Sequence, residues 1–176
     1  MLLFCIGVLS ICPAVAQEVL YWKADHPLTW NDFRGQPTTN NWRHAAFIKY
    51  RLCCTIDSGQ GGAHILVKSL FCTQKSWKRP GELSAPLLQH EQTHFDITEL
   101  FARKASKAIA GRKNWSHRNG RLRYARLNRI YYRYWWGCGI MQMWYDFRTR
   151  HSINDKRQQA WNRKIAGLLT QYGQYQ

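Results

Sequence analysis

Acidic side chains are what this chain has least of: 10 Asp and Glu stand against 26 Lys and Arg, giving a formal net charge of +16 over 176 residues. That imbalance implies attraction to anionic surfaces such as phospholipid, lipopolysaccharide, acidic wall polymers or nucleic acid, and indicates no specific nucleic-acid partner. Past residue 16 there is no apolar run long enough to span a bilayer, so a membrane-spanning protein is not expected. There is no Walker loop, no G-x-S-x-G and no dinucleotide fingerprint, so nucleotide and serine-hydrolase templates find no support. No C-x-x-C spacing points to a cysteine-based zinc site. Repeats and low-complexity tracts are missing too. What is present is a globular composition, 45% hydrophobic with 9 Trp, 9 Tyr and 7 Phe, enough for one domain with a core of ordinary size.

Met1 to Ala16 reads as a cleaved secretory signal peptide. Leu2, Leu3, Phe4, Ile6, Val8, Leu9 and Ile11 form its apolar stretch, and Ala14-Val15-Ala16 fits a small-residue cleavage site before Gln17. The mature domain is then 17–176, and a secreted or periplasmic location is expected. Cleavage leaves Cys53, Cys54, Cys72 and Cys138, an even count that suggests disulfides in an exported protein. Four cysteines allow three pairings, and adjacent Cys53 and Cys54 on a strand would face opposite ways and take different partners. The oligomeric state is left open.

The expected fold is α+β, a small antiparallel sheet built on an N-terminal hairpin and followed by about three helices. Val19 to Tyr21 suggests a short edge strand. The near-alternation from Trp42 to Ile56, a turn over Asp57 to Gly62 and a second strand from Ala63 to Phe71 read as the hairpin. Ser84 is a good N-cap with Pro86 in the first turn, and the helix should run to Gly111 with Arg103, Lys104 and Lys107 near its negative end. Arg121 to Trp136 segregates by helical angle. Tyr124, Leu127, Tyr131, Tyr134 and Trp135 fall on the side expected to pack, and arginines on the side expected to be solvated. Gly137-Cys138-Gly139 should interrupt or kink this helix. Asn154 or Asp155 caps a last helix, with Ala160, Trp161, Ile165, Leu168 and Leu169 on its apolar side.

Within the first long helix lies His90-Glu91-Gln92-Thr93-His94. Helical positions four apart share a face, so His90 and His94 can offer two imidazoles to one ion, with Glu91 beside them as a base. A zinc hydrolase needs a third protein ligand and keeps a position open for water. Counting ~100° per residue, His94 lies ~40° from His90, Glu99 ~180° and Asp96 ~240°, so neither acid shares the metal face. Of the remaining histidines, His26, His44, His64, His117 and His151, the last sits at an element junction, where functional groups are often placed.

These residues resemble the bacterial domain-of-unknown-function family 922, described as predicted secreted Zn-dependent proteases. The likeness covers most of the mature chain in order. It includes Tyr21-Trp22 with Pro27-Leu28-Thr29-Trp30-Asn31-Asp32-Phe33-Arg34-Gly35, then Lys75-Ser76-Trp77, then His90 to Arg103. At the C-terminal end it takes in Tyr145-Asp146, Thr149 with His151, Gln158 and Trp161. The resemblance implies a zincin-like domain and makes His151 the third ligand to a single Zn2+. The family tends to carry Gly after that histidine, where this chain has Ser152.

The implied reaction is metal-assisted hydrolysis by a zinc metallopeptidase acting on a peptide or protein substrate, envelope-associated ones included. Glu91 is its general base. Tyr145 is either a phenol donor to the oxyanion or a packed aromatic. Glu99 and Asp146 are candidate partners behind a ligand imidazole. The rival expectation is a non-catalytic basic module that binds an anionic polymer or envelope surface and holds a structural metal.

Overall fold

The computed structural model describes residues 19–37, 44–59, 62–81, 83–112, 115 and 124–176. The signal peptide expected at 1–16, His117 and the first arginines of the 121–136 segment lie outside the described residues.

The fold is α+β, with a small antiparallel β layer and three helices. β3 (Tyr50–Gly59) and β4 (Gly62–Cys72) form the hairpin, in a register that sets Ile56 opposite Ile65 and Cys54 opposite Val67. Both strands run on through residues expected in the turn, since the backbone ladder continues to Gly59 opposite Gly62. β1 (Val19–Tyr21) joins the far edge of β4 but covers only Leu70 to Cys72. Farther along that edge Ser106 answers the open backbone: its hydroxyl accepts from Val67 N–H at 2.9 Å and donates to the Val67 carbonyl at 3.2 Å. Buried backbone groups need such partners.

The run from Trp42 does not form one strand. β2 (Ala46–Phe47) leaves the hairpin to pair with β5 (Trp77–Lys78), and the chain then passes through buried Ile48 into β3. Ser76 makes this divergence possible. Its buried hydroxyl accepts from Lys49 N–H and donates to the Cys72 carbonyl, filling the gap between the two ribbons. Gly35 runs parallel to Trp77 with its N–H on the Ser76 carbonyl. A Cβ there would come within 2.9 Å of two backbone oxygens, so only glycine fits.

α1 (Ala85–Ala110) begins at Ser84, whose hydroxyl accepts from Leu87 N–H. It lies across the inner face of the hairpin, with Ile97, Leu100, Ala102 and Ala105 fully buried. α2 (Tyr124–Thr149) is one continuous helix, so Gly137-Cys138-Gly139 does not break it. The reason is packing: a Cβ at Gly137 would sit 2.8 Å from the Phe101 ring, so glycine lets α2 close on α1. On the packed side Leu127 and Ile130 are buried and Tyr131 and Tyr134 half-buried, whereas Tyr124 and Trp135 are exposed, contrary to expectation. α3 (Asp155–Gln171) starts at Asn154, whose side chain accepts from Arg157 N–H, and buries Ile165 and Leu169.

The four described cysteines, Cys53, Cys54, Cys72 and Cys138, form no disulfides. Cys54 faces the inner core and Cys53 the outer side of the sheet, as adjacent strand residues must. Cys72 shares the outer side, but Cys53 pairs with Lys68, four residues short of it. Four strand residues span ~13 Å, well beyond the ~7 Å that a disulfide can bridge. Cys54 and Cys138 serve instead as small apolar core residues, and burial pushes both thiols up to about 11.

Candidate metal centre

The H-E-x-x-H run occupies the second and third turns of α1, and both imidazoles are buried. Their Nε2 atoms are 3.2 Å apart. The Asp146 carboxylate, from α2, completes the triangle: its Oδ1 lies 3.1 Å from His90 Nε2 and 2.8 Å from His94 Nε2. His90, His94 and Asp146 could hold a metal ion. Zinc–ligand bonds of 2.0–2.1 Å in tetrahedral array would set ligand atoms about 3.3 Å apart. The donor set therefore fits with small outward shifts.

Each imidazole is fixed from behind. His90 Nδ1 donates to Gln158 Oε1 at 3.0 Å, and His94 Nδ1 donates to Gln142 Oε1. The glutamines are oriented by their own amides. Gln142 Nε2 donates to the His94 carbonyl at 2.8 Å and to Thr98 Oγ1, and Gln158 Nε2 donates to Asn162 Oδ1 and to the Tyr145 hydroxyl. With Nδ1 held as the donor, Nε2 is the atom each ring turns inward, the tautomer that metal ligation requires.

Tyr145 is fully buried behind this pair. Its ring stacks on His90 at 4.7 Å and meets His94 edge-on at 4.8 Å, and its hydroxyl donates to the His90 carbonyl. It is packed as an aromatic against both imidazoles. Asp146, expected behind a ligand, stands instead with the two imidazoles in the group that could hold an ion. Glu99 lies on another face of α1, where Ser69 Oγ donates to it and Arg103 pairs with it at 2.8 Å. Asp96 accepts from Trp22 Nε1 and Gln92 Nε2, and Gln92 in turn accepts from Leu28 N–H. Those acids anchor the sheet and the N-terminal segment to α1.

The triangle opens on a cleft of about 920 Å³. One wall is His44 to Ile48 with Tyr50, the other is the α2–α3 turn from Arg150 to Ile153, and His90, Glu91 and His94 line its buried end. His151 stands at the mouth with its side chain 59% exposed, its Nδ1 3.7 Å from Asp146 Oδ1 and its ring edge-on to His44. Its position follows from an uncommon turn. Arg150, His151 and Ser152 all take positive φ, at 51°, 50° and 73°. Backbone bonds from His151 to Asp146 and from Asn154 to Thr149 hold the turn closed. His26 is exposed and paired with Asp25, and nothing is described of the His64 side chain.

The electrostatics follow the geometry. Burial opposes charge on Asp146, but hydrogen bonds from His90 and His94 outweigh it and hold the carboxyl well below the usual carboxylate range. Burial pulls the His94 imidazolium down, yet its bond to Asp146 leaves it raised. Burial raises Glu91, against the pull of His94 and His90. A carboxyl poised upward beside a cationic site suits a group that exchanges protons.

Of the two supporting glutamines, Gln158 is already among the residues that carry the resemblance, and Gln142 is the one the sequence conceals. Gln142 follows Cys138 by four and precedes Asp146 by four on the same side of α2, a signal readable only once this stretch is known to be helical. No known protein family, curated protein or solved structure matches the chain.

Proposed function

We propose that the chain is a zinc-dependent metallohydrolase of the peptidase type, a zincin-like domain with the H-E-x-x-H run on its first long helix. The resemblance to the predicted secreted Zn-dependent proteases of family 922 points the same way, and with it goes export across a membrane. One observation carries the reading: two imidazoles, each locked in the same tautomer by a buried glutamine, converge with Asp146 beside Glu91 at the end of a cleft.

His90, His94 and Asp146 would hold the ion and leave a position open, the arrangement of catalytic rather than structural zinc. When bound, zinc supplies Lewis acidity toward an amide carbonyl and makes water acidic near neutral pH. Glu91 accepts the proton of the attacking water and returns it to the leaving amine. Its raised affinity for protons suits both halves of that cycle. Gln142, Gln158 and Tyr145 keep the ligands aligned. The His44 to Ile48 wall and the Arg150 to Ile153 turn bound the substrate. His151, at the mouth, can donate to the substrate oxygen on which charge develops.

His151 also separates this reading from its rival. Were it a fourth ligand, the coordination sphere would close and the metal would be structural. Zinc content and peptide hydrolysis of the parent, Glu91→Gln and His151→Ala decide the matter. We expect one zinc in all three proteins, no turnover in Glu91→Gln and reduced turnover in His151→Ala. Parent protein without zinc, or full turnover in Glu91→Gln, sinks the proposal. Zinc lost in His151→Ala together with an inert parent favours the structural metal.

A further inference from the structure

α2 turns Leu127, Cys138, Gln142 and Tyr145 inward, and the opposite side of such a helix should be polar. Instead Tyr132, Trp136, Ile140, Met143, Trp144 and Phe147 are exposed along it. Trp136 is 63% and Phe147 70% exposed. The stripe runs roughly 22 Å along the helix, at 1.5 Å per residue. Contiguous apolar surface of this kind marks an interaction site, whereas single exposed apolar residues do not.

Cations frame the stripe. Arg129 and Arg133 are exposed at one end. At the other, the stripe opens on a groove of about 510 Å³ between α2 and α3, where Ile140, Met141 and Trp161 meet Arg148 and Lys164. The single acid of α2, Asp146, is engaged by His90 and His94, and the single acid of α3, Asp155, sits at that helix's first residue. Apolar rings with cations at the margins, and no carboxylate among them, match acyl chains beneath phosphate headgroups.

We propose that this face of α2 seats the protein flat on an anionic phospholipid bilayer. Charge selects the lipid over a second copy of the chain. Two chains of net charge +16 would bring Arg129, Arg133 and Arg148 of each together with no acid of α2 to answer them. An anionic leaflet answers them directly. Among the described residues no helix is long and apolar enough to cross a membrane, so the seat is peripheral. The inference stands without the metal reading. If both hold, the Arg150 to Ile153 wall of the cleft, with Ile153 80% exposed, follows in the chain directly after the Phe147 end of the stripe.

The test is co-sedimentation of the purified protein with phosphatidylcholine vesicles, with and without phosphatidylglycerol. The variants are Trp136→Ser/Phe147→Ser and Arg129→Gln/Arg133→Gln, with circular dichroism and the thermal midpoint as controls for folding. The parent should bind only the anionic vesicles. The aromatic variant should lose about tenfold or more in partitioning, from the apolar area withdrawn. The arginine variant should bind more weakly and with less sensitivity to salt. Equal binding to both vesicles, or parent-like binding of the aromatic variant, overturns the proposal. So does a parent dimer in equilibrium sedimentation that ignores vesicles and is dispersed by the aromatic substitutions, which would make the occupant a second copy.

Discussion

Gln142 and His94 hold each other twice. The imidazole Nδ1 donates to the glutamine carbonyl, and the glutamine amide donates back to the backbone carbonyl of the same histidine. Ring and helix are thereby fixed by one side chain from α2. Gln142→Ala leaves the buried Nδ1–H without its acceptor and frees the ring to turn. Zinc affinity should fall about 10- to 100-fold, the usual loss for an outer partner of a ligand. Competition against a chromophoric chelator measures this, and parent-like affinity would show that the pair does not orient the ring.

Asp146 and His151 make opposite predictions. Asp146→Ala removes a donor atom 2.8 Å from His94 Nε2 and should weaken zinc by more than the about 10- to 100-fold expected for an outer partner. His151→Ala should change zinc affinity by less than about tenfold, since the side chain is mostly exposed and 3.7 Å from Asp146. The reverse order would return His151 to the role of ligand that the resemblance implies.

Glu99→Gln should uncouple stability from the metal. The carboxylate and Arg103 are both buried, and breaking such a pair from one side leaves an uncompensated charge. A loss of about 3 kcal/mol is expected in urea unfolding, with zinc affinity unchanged. Weakened zinc binding in a protein of intact fold would place Glu99 in the metal centre after all.

The metal-free protein should lose stability as pH rises. His94 binds its proton more tightly folded than unfolded, so its contribution is complete below the unfolded value of about 6.5 and lost as pH climbs through the raised folded value. Asp146 acts in the other direction, contributing above about 3.9 and losing its contribution only in acid as pH falls through its lowered value. Zinc requires neutral imidazoles, so its affinity rises over the range where the metal-free protein weakens. The zinc-induced increase in thermal midpoint should therefore be larger at about pH 8 than at about pH 6. A constant increment would mean that the His94 proton is not displaced by the ion.

Ser152→Gly should stabilise. Ser152 sits at φ 73°, the third consecutive residue in the left-handed region. Relief of that strain, less the extra entropy of glycine in the unfolded chain, should yield about 0.5–1 kcal/mol. This corresponds to a rise of roughly 1–4 °C in the thermal midpoint, read by calorimetry. It is also the position where the resembling family tends to carry glycine.

Local signals made α1 legible almost to the residue. Ser84, Pro86 and Gly111 mark its ends, and the spacing of His90 and His94 defines a face without reference to any neighbour. The hairpin was legible from alternation, but the split at Ile48 was not, because it depends on Ser76 arriving from the far side of β4. α2 was misread at Gly137 to Gly139 because glycine was weighed as a helix breaker, while its value there is room for Phe101. Gln142 and Asp146 share a side only because the segment past those glycines stays helical. The third member of the triangle was thus out of reach of spacing alone: it comes from a helix pair packed through a contact that no local pattern announces.

The helix that carries the two histidines is committed on every side. Gln92 and Asp96 engage Leu28 and Trp22, Ser106 engages Val67, Glu99 and Arg103 engage Ser69, the Leu169 carbonyl and Gln176, and His90 and His94 engage α2 and α3. Its azimuth is therefore set largely by groups that never meet the ion. A turn of one residue, ~100° at helical pitch, would break all of these contacts together. Aim and fold share one set of constraints, so substitutions that spare the histidines can still mis-aim them. In a saturating mutational survey read out by metal binding, the intolerant positions should trace the whole circumference of α1, and the motif should show only as two points on that ring.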